Sequence, residues 1–318
     1  MCINLFSFFI ASAVSITPIL AEIPPRPVSK VSLTADSAIT SGILINEILF
    51  NPKSGGAEFI EIYNHSDKTI DLQNLKIARI IGNDSLVNIR QISAGHSLFL
   101  PGEYKVLTKD PAIVQLHYYT ENPEAFISVP NMPQLPNQSG SIALLEKNMV
   151  IDRLDYHAGM HDPLVKDPKG VSLERKKFDE PTNSPTNFTS AAAVVGYATP
   201  GYKNSQHLSP DEEREVFWLT SKTFSPDQDG FEDELQINYH FNESGNVANI
   251  YVYNDRGTMV RQLYKNHSLA VDGLLSWDGL SDMQQRLPLG IYVIYIETYN
   301  ATDGVKKYRK SCVLAAKF

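Results

Sequence analysis

The sequence predicts an all-β protein that is built as two β-sandwich domains in tandem. Its 318 residues are enough for two domains that each bury a core. Its 15 Tyr and 14 Phe against two Trp favour strands, and 42% hydrophobic residues indicate a folded chain. Short apolar runs alternate with turn residues, a pattern that is typical of a sandwich or barrel.

The charge of the chain argues against a nucleic-acid partner. The formal net charge is −8 at pH 7, whereas phosphate binding draws its affinity from clustered Lys and Arg. The basic pairs Lys176-Lys177 and Lys306-Lys307 are short and are expected to be solvated surface. We therefore expect no nucleic-acid binding.

The first residues predict an export signal followed by a linker. Residues 1–21 are mostly apolar and end in a small residue, which fits a secretory signal peptide. The same run also fits a transmembrane anchor, or a start codon placed inside a longer gene. Residues 22–42 are rich in Pro, then in Ser and Thr, as expected of a linker. Because no second apolar run follows, we expect no membrane span in the mature chain.

The first sandwich is expected over residues 43–205. Its predicted elements are the strands Ile43 to Phe50 and Glu58 to Tyr63, a hairpin of Ser97 to Leu100 with Tyr104 to Thr108, a short helix within Asp110 to Tyr119, and a hairpin of Ile142 to Leu145 with Val150 to Leu154. Pro101-Gly102 and Lys147-Asn148 supply the turns of the two hairpins.

Residues 206–215 are polar and acidic and predict an inter-domain linker, and the second sandwich is expected over 216–318. Its predicted strands are Leu235 to Phe241, Asn246 to Tyr253, Thr258 to Tyr264, Gly290 to Tyr299 and Tyr308 to Leu314. The turn Asn254-Asp255-Arg256-Gly257 joins the second of these strands to the third, and Trp277 is expected to fill the core.

Motifs in the first domain resemble the lamin-tail domain, an Ig-like sandwich found in nuclear lamins and in bacterial exported proteins. They are, in order, Ile45-Asn46-Glu47-Ile48, Glu58-Phe59-Ile60-Glu61-Ile62-Tyr63-Asn64, Ile70-Asp71-Leu72, Pro101-Gly102-Glu103-Tyr104, Ser172-Leu173-Glu174-Arg175 and Thr199-Pro200-Gly201. Asn74-Leu75 stands where a Gly-Trp pair is usual in that family. The resemblance implies an Ig-like fold from Ile43 to Ser205.

The second domain resembles the Ig-like domain that ends bacterial surface proteins and occurs in the flagellar hook-capping protein. Its motifs are Phe224-Ser225-Pro226-Asp227-Gln228-Asp229-Gly230, Trp277-Asp278-Gly279 and Leu287-Pro288-Leu289-Gly290-Ile291-Tyr292. The pairing of the two domains is similar to that in exported proteins of the Bacteroidetes, which implies a role at the cell surface, in export or in adhesion. No separate sorting domain follows the second sandwich in the sequence, so a dedicated type IX secretion signal is not evident.

Asp227, Asp229 and Asp233 are the candidate metal ligands. A calcium loop aligned here takes its oxygen ligands from Ser225, Asp227, Asp229, the Phe231 carbonyl and Asp233, with Gly230 at the sharp turn. Gln236 stands where such a loop needs a closing bidentate Glu, so the calcium site would be partial. In the alternative, which we favour, Asp-Gly builds a turn that the acids cap. Apart from Ca²⁺, no cofactor is expected.

Two other clusters carry titratable side chains without predicting catalysis. His157 and His161 lie near acids, but zinc needs three or four convergent ligands, and the flanking Gly and Pro favour a surface loop. Glu47, Glu58 and Glu61 could supply the two acids that a glycosidase needs across a cleft, but the resemblance implies that they belong to a structural strand motif. A regular strand also places Glu58 and Glu61 on opposite faces. We therefore assign no catalytic residue.

These observations predict a non-catalytic exported or cell-surface protein, outer-membrane-associated in a bacterium, that acts as an adhesion-type binding or display module. The one cysteine left after removal of the leader, Cys312, lies in a strand-like run and is expected to be buried. The expected partner is a protein or glycan at the cell surface, met by loops or strand edges. The alternatives are an accessory or C-terminal targeting part of a larger exported protein or enzyme system, and a divergent metal-dependent hydrolase that uses His157 and His161.

Overall fold

The computed structural model describes residues 42–208, 215–301 and 304–316. The predicted signal peptide, residues 1–21, lies outside the described residues, as do 22–41 of the first predicted linker and 209–214 of the second. Within the described ranges, no helix is long and apolar enough to cross a membrane. These ranges consist of strands, short 3-10 turns and a single seven-residue α-helix, which confirms the all-β prediction.

The first domain is a sandwich of two mainly antiparallel sheets with a small third sheet. Its strands are β1 (Ile43–Leu49), β2 (Phe59–Asn64), β3 (Ile70–Asp71), β4 (Leu75–Ile81), β5 (Ser85–Gln91), β6 (Leu98–Phe99), β7 (Tyr104–Thr108), β8 (Phe126–Ser128), β9 (Ser139–Glu146), β10 (Met149–His157), β11 (Leu173–Arg175) and β12 (Phe188–Ser190). One sheet has the order β12-β11-β1-β2-β7-β8, with β8 parallel to β7, and the other has the order β10-β9-β4-β5; β3 pairs with β6.

The core of this domain lies between the two larger sheets. Ile45, Ile60 and Leu107 of the six-stranded sheet pack in one cluster with Ile77 and Leu144 of the four-stranded sheet. All seven residues of β1 are nevertheless buried, although alternate residues of a strand point to opposite faces. The outer face of the six-stranded sheet must therefore be covered as well.

Two segments cover that outer face. One is helix α1 (Pro111–His117), and the other is the irregular segment 191–208, which we call the strap. Val114 of the helix and Ala198 of the strap join Phe59 of β2 in a second buried apolar cluster. The central strands are thus buried on both faces. On the outer face, some of the buried residues are not apolar.

Helix α1 confirms the short helix expected within Asp110 to Tyr119. Asp110 is its N-cap, and its carboxylate accepts a hydrogen bond from the backbone N–H of Ile113 at 3.3 Å. Pro111 occupies the first turn, where its missing N–H costs nothing.

One of the two hairpins expected in the first domain is confirmed, and the other prediction is wrong. Strands β9 and β10 pair through Lys147 and Asn148, whose φ angles of 47° and 71° fit the tight turn that suits a hairpin. Pro101-Gly102 does make a turn, but β6 on one side of it pairs with β3 and β7 on the other side pairs with β2. Asn64 of β2 explains the difference, because its backbone bonds both Gly102 and Glu103 and so draws β7 to β2.

The second domain is a sandwich of a three-stranded and a five-stranded sheet. Its strands are β13 (Phe217–Leu219), β14 (Thr223–Phe224), β15 (Leu235–His240), β16 (Val247–Asn254), β17 (Met259–Ser268), β18 (Asp272–Trp277), β19 (Gly290–Asn300) and β20 (Gly304–Leu314). The sheet orders are β13-β15-β18 and β14-β20-β19-β16-β17. The expected hairpin at residues 254–257 is confirmed as β16 and β17.

Trp277 fills the core of the second domain, as the sequence predicts. Its side chain is 1% exposed and packs against Phe224 and Tyr292 at centroid distances of 5.2 and 5.3 Å. Its indole N–H donates to the carbonyl of Leu280 at 3.0 Å, so the one polar atom of the ring is satisfied.

Candidate functional site

The structure brings the three candidate metal ligands together in the loop between β14 and β15. One carboxylate oxygen each of Asp227, Asp229 and Asp233 lies within 4.8 Å of the others. Asp233 organises the loop, because its two oxygens accept from the backbone N–H groups of Gln228 (2.5 Å) and Gly230 (2.8 Å). Gly230 has a φ of 87°, which a glycine adopts without strain.

The other two acids also bind the backbone of their own loop. Asp227 accepts from the N–H of Asp229 at 3.2 Å, and Asp229 accepts from the N–H of Phe231 at 2.8 Å. The Ser225 hydroxyl donates to Asp227 at 3.2 Å. Such turns hold a loop without an ion. Calcium takes about six to eight oxygens, so an ion here would need carbonyl or water ligands beside the three acids.

The histidine cluster considered in the sequence does not form a metal site. His161 is 8% exposed, and its Nδ1 lies 2.9 Å from the hydroxyl of Ser190. The expectation of a surface loop is therefore wrong for His161, because its ring packs 5.6 Å from that of Phe50 at the edge of the core. Burial lowers the pKa of His161 to about 4. Among the described residues, neither His157 nor His161 belongs to a group of three or more potential metal ligands.

Cys312 is buried, as expected from its strand-like surroundings. It is 1% exposed, its thiol lies 3.7 Å from the carbonyl of Tyr292, and burial raises its pKa to about 12. A thiol with so high a pKa supplies little thiolate, so Cys312 is a core residue and a poor nucleophile.

Three glutamates meet on the outer face of the six-stranded sheet, under the strap. Glu47 of β1 is the cross-strand neighbour of Glu174 on β11 and of Glu61 on β2. All three side chains are 0% exposed. Burial raises the pKa of each, that of Glu47 to about 8 with the charge of Glu174 as the second cause.

Each of these glutamates holds one backbone N–H of the strap. Glu47 accepts from the N–H of Thr199 at 3.0 Å, and Glu61 accepts from the N–H of Gly201 at 2.6 Å. Glu174 accepts from the N–H of Gln206 at 2.9 Å and from the hydroxyl of Ser205 at 2.8 Å. Because the strap is irregular, these carboxyl groups satisfy backbone donors that no strand partner satisfies.

The Thr199 hydroxyl lies between two of these carboxyl groups. Its oxygen is 2.7 Å from Glu174 and 3.2 Å from Glu47. A hydroxyl has one hydrogen, so a carboxyl group must supply the hydrogen of the second contact. The raised pKa of about 8 makes Glu47 the protonated member at neutral pH. Both oxygens of Glu61, in contrast, face donors, namely Gly201 and the Asn46 side chain at 2.7 Å.

On the core side of the same strands, a buried ion pair fixes a bulge in β1. Arg175 is 0% exposed, and its guanidinium bonds the carbonyl of Ile45 at 2.8 Å and Asp152 at 3.3 Å. Asp152 in turn accepts from the N–H of Ile45 at 2.7 Å. The bulge between Ile45 and Glu47 places Glu47 opposite Glu61.

Of the three acids that were rejected as a catalytic set, Glu47 and Glu61 do lie together, but Glu58 does not join them. Glu58 is only half-buried, and it accepts from the N–H of Leu135 at 3.2 Å, away from Glu47 and Glu61. Glu174 takes its place. The signal that could have found it was present, because Ser172-Leu173-Glu174-Arg175 and Thr199-Pro200-Gly201 are motifs of the resemblance, and both belong to this network.

The end of the strap connects the two domains. Ser205 accepts from the N–H of Val271 through its carbonyl at 2.7 Å. The Gln206 side chain is 1% exposed; it donates to the carbonyl of Leu269 and accepts from the N–H of Gly245, both at 3.2 Å. The glutamates that hold the strap therefore also hold the segment against which the second domain packs.

Comparison with protein families finds two matches that follow one another along the chain. Residues 36–158 match the Lamin Tail Domain, and residues 219–314 match the CHU_C Type IX secretion signal domain. The first match ends before β11, although β11 pairs with β1 in the same sheet. No curated protein matches the chain.

Three solved structures are similar to the chain at low identity. Dimeric latent PorU from Porphyromonas gingivalis is 11% identical over 94% of this chain and 21% of its own, with a TM-score of 0.24. PorZ, a surface component of the type IX secretion system of the same organism, is 7% identical over 84% of this chain and 38% of its own, with a TM-score of 0.26.

The BSP domain of a biofilm-associated protein is 8% identical over 86% of this chain and 30% of its own, with a TM-score of 0.20. TM-scores this low support no conclusion about the fold or the function of the chain. The chain spans between 21% and 38% of the length of these three proteins.

The family match corrects one expectation about export. No dedicated type IX signal was evident in the sequence, but the second sandwich itself matches that signal domain. The protein is therefore secreted or on the cell surface, as in the Bacteroidetes. The chain carries a lamin tail domain followed by a type IX secretion signal domain of the CHU_C family.

Proposed function

We propose that the protein is a non-catalytic binding or display module that is associated with the outer surface of a bacterial cell. The observation that carries the proposal is the order of its domains, with a lamin tail domain directly ahead of a type IX secretion signal domain. Both are Ig-like domains of non-catalytic families. The secretion signal domain accounts for export, and the lamin tail domain is then the part of the chain that acts at the cell surface.

The polar chemistry of the first domain supports a structural use of its acids. Glu47, Glu61 and Glu174 are closed off from solvent, and their oxygens bind the strap. A hydrolytic pair of carboxyl groups must reach a substrate across a cleft. A sandwich that is rigid inside can present its loops and strand edges to a protein or glycan partner.

The export part of the proposal is tested by removing residues 219–314 from a tagged chain in a type IX-competent Bacteroidetes host. We expect intact cells to expose the full chain to added protease or a membrane-impermeant biotin reagent. The shortened chain should be protected by the outer membrane, with a periplasmic marker protein as the control for cell integrity. Equal labelling of both chains would contradict the proposal.

The binding part is tested with the purified full chain. We expect it to be retained on immobilised outer-membrane fractions, and a glycan array will distinguish a glycan partner from a protein partner. Prior protease treatment of the membranes abolishes retention only if the partner is a protein. No retention on membranes or glycans would overturn the binding role, and turnover of a substrate by the pure chain would overturn the non-catalytic assignment.

A further inference from the structure

The second domain has one long strand edge that is mostly open. β20 pairs with β19 along its whole length, Gly304–Leu314. On its other side it pairs only at Val313 and Leu314, with the two-residue strand β14. Among the described strands, none covers the rest of this edge.

The backbone of the open part is oriented for pairing. The N–H of Val313 donates to the carbonyl of Lys222 at 2.8 Å, on the β14 side. Alternate residues of a strand direct their backbone groups to the same side, so Ser311 and Arg309 direct theirs to the open edge. Exposed strand edges with such groups accept a further strand from another chain.

A groove of about 430 Å³ runs along this edge, between β20 and β13 of the other sheet. Trp218 and Leu219 of β13 give it an apolar wall, and Lys222 and Lys310 give it positive charge. Grooves of some hundreds of Å³ that combine apolar walls with a few charges are typical of binding sites. Trp is also among the residues that contribute most to protein interfaces.

The charge on the edge selects the kind of strand that fits. The groove is lined by Lys222, Arg309 and Lys310 and by one acid, Glu215, in a chain whose formal net charge is −8. Lys310 pairs with Glu215, so cations outnumber acids in the lining of the groove. Neighbouring residues of a strand project to opposite faces, so an added strand would meet cations on both of its faces. The same edge of a second copy would be repelled, because like charges on paired strands are destabilising.

We propose that this edge groove binds an extended acidic segment of a partner protein, which adds beside β20 as a further strand. The inference rests on the proposed function and names one surface through which it would act. Backbone pairing at Ser311 and Arg309 supplies affinity, Trp218 and Leu219 supply apolar contact, and the cations supply the preference for acidic side chains.

The protein contains its own reporter for this groove. Of its two Trp residues, Trp277 is buried in the core and Trp218 lines the groove. We would titrate the full chain with a synthetic octapeptide that alternates Glu and Val, and follow Trp fluorescence. The expected result is a saturable change that weakens with salt. A Lys/Val peptide of equal length should give none.

Two comparisons separate strand addition from mere charge attraction. On the wild-type protein, a Glu/Val peptide that is N-methylated at every amide has no backbone N–H to donate to a strand on either edge, and we expect it to bind at least tenfold more weakly. On the unmodified peptide, Lys222→Glu should weaken binding at least tenfold. Lys265→Glu is the matched control, because it makes the same charge change on β17 at the opposite edge of the same sheet.

The outcomes also separate this inference from the proposed function. Three results would each overturn the proposal that the groove binds an acidic strand. They are equal binding of the N-methylated peptide, equal effects of Lys222→Glu and Lys265→Glu, and no fluorescence change. If the protein is still retained on outer membranes in that case, the proposed function stands and another surface carries it. Loss of peptide binding together with loss of membrane retention in Lys222→Glu would support both.

Discussion

At Thr199, one hydroxyl hydrogen serves two carboxyl groups, so either Glu47 or Glu174 must carry a proton. With Glu47 neutral, Thr199 accepts from Glu47 and donates to Glu174. Burial is the main cause of the raised pKa of Glu61, and a neutral Glu47 removes the second cause, which is the charge of Glu47 itself. The hydrogen bonds that Glu61 accepts from Gly201 and Asn46 lower its pKa against the effect of burial.

The protonated state of Glu47 makes the stability of the first domain depend on pH. Its pKa rises from 4.5 to about 8 on folding, so the folded chain holds more protons between these values. The stability that Glu47 contributes is fully present below pH 4.5 and is lost as the pH rises to about 8. For one proton, the free energy of unfolding falls by at most about 1.4 kcal/mol per pH unit.

We expect Glu47→Gln to flatten this pH dependence and to match or exceed the wild type in stability at pH 8. The Gln amide can donate to the Thr199 hydroxyl as the protonated acid does, and it cannot ionise. Chemical denaturation from pH 5 to 9 measures the effect.

Glu61→Gln is the matched control, because both oxygens of Glu61 face donors and an amide N–H there finds no acceptor. It should cost about 1 to 3 kcal/mol at every pH. A Glu47→Gln variant with an unchanged pH slope would contradict the assignment of the proton.

At the scale of the element, each domain seats a Tyr ring over a glycine of the neighbouring strand. Tyr156 lies over Gly140, its partner in β9, and Tyr239 lies over Gly273, its partner in β18. A Cβ at either glycine would overlap the ring. The two sandwiches therefore use the same device to pack a large ring flat against a sheet.

We expect Gly273→Ala to lower the free energy of unfolding by about 1 to 3 kcal/mol, because the added methyl must displace the Tyr239 ring. Gly95→Ala is the control, since an added Cβ at Gly95 meets no atom within 4 Å. Thermal denaturation compares the two, and equal melting temperatures would show that the ring moves aside freely.

The acid loop after β14 is the second element with a measurable role. Asp233 accepts two backbone N–H groups, and an Asn side chain can accept only one of them well. We expect Asp233→Asn to cost about 1 kcal/mol, and to do so in EDTA as much as in calcium because both bonds are internal. A rise in the melting temperature of the wild type with millimolar calcium, absent in Asp229→Asn, would show instead that the loop binds the ion.

The sequence predicted the elements whose causes are local. The turn at Lys147-Asn148 and the alternation of Leu235 to Phe241 depend on neighbouring residues, and both are confirmed. The hairpin at Pro101-Gly102 was wrong because Asn64, far along the chain, decides where β7 goes. The glutamate cluster depends on strand pairing between β1 and β11, which no local pattern specifies. The proximity of Asp227, Asp229 and Asp233 could be predicted because all three acids lie within one loop.

At the scale of the whole molecule, the strap makes the two domains dependent on each other. We expect Gln206→Ala to cost about 1 to 3 kcal/mol, because it leaves the Leu269 carbonyl and the Gly245 N–H without their partner. Calorimetry should show two separated unfolding transitions in place of one.

Lys203→Ala is the control for this experiment. Lys203 and Asp272 also join strap and second domain, but both are about half exposed and 3.6 Å apart, and such pairs contribute at most about 1 kcal/mol. Superimposable calorimetric traces for the wild type and Gln206→Ala would contradict the coupling.

The strap also sets when the first domain can finish folding. Asn46 and Asn204 bond each other at 2.7 Å although 158 residues separate them in the sequence. Contacts between such distant residues slow folding, because a long loop must close before they form. Until residues 199–206 arrive, Glu47, Glu61 and Glu174 face water and are ionised. The last step of folding should therefore be slow and should take up a proton from the solvent.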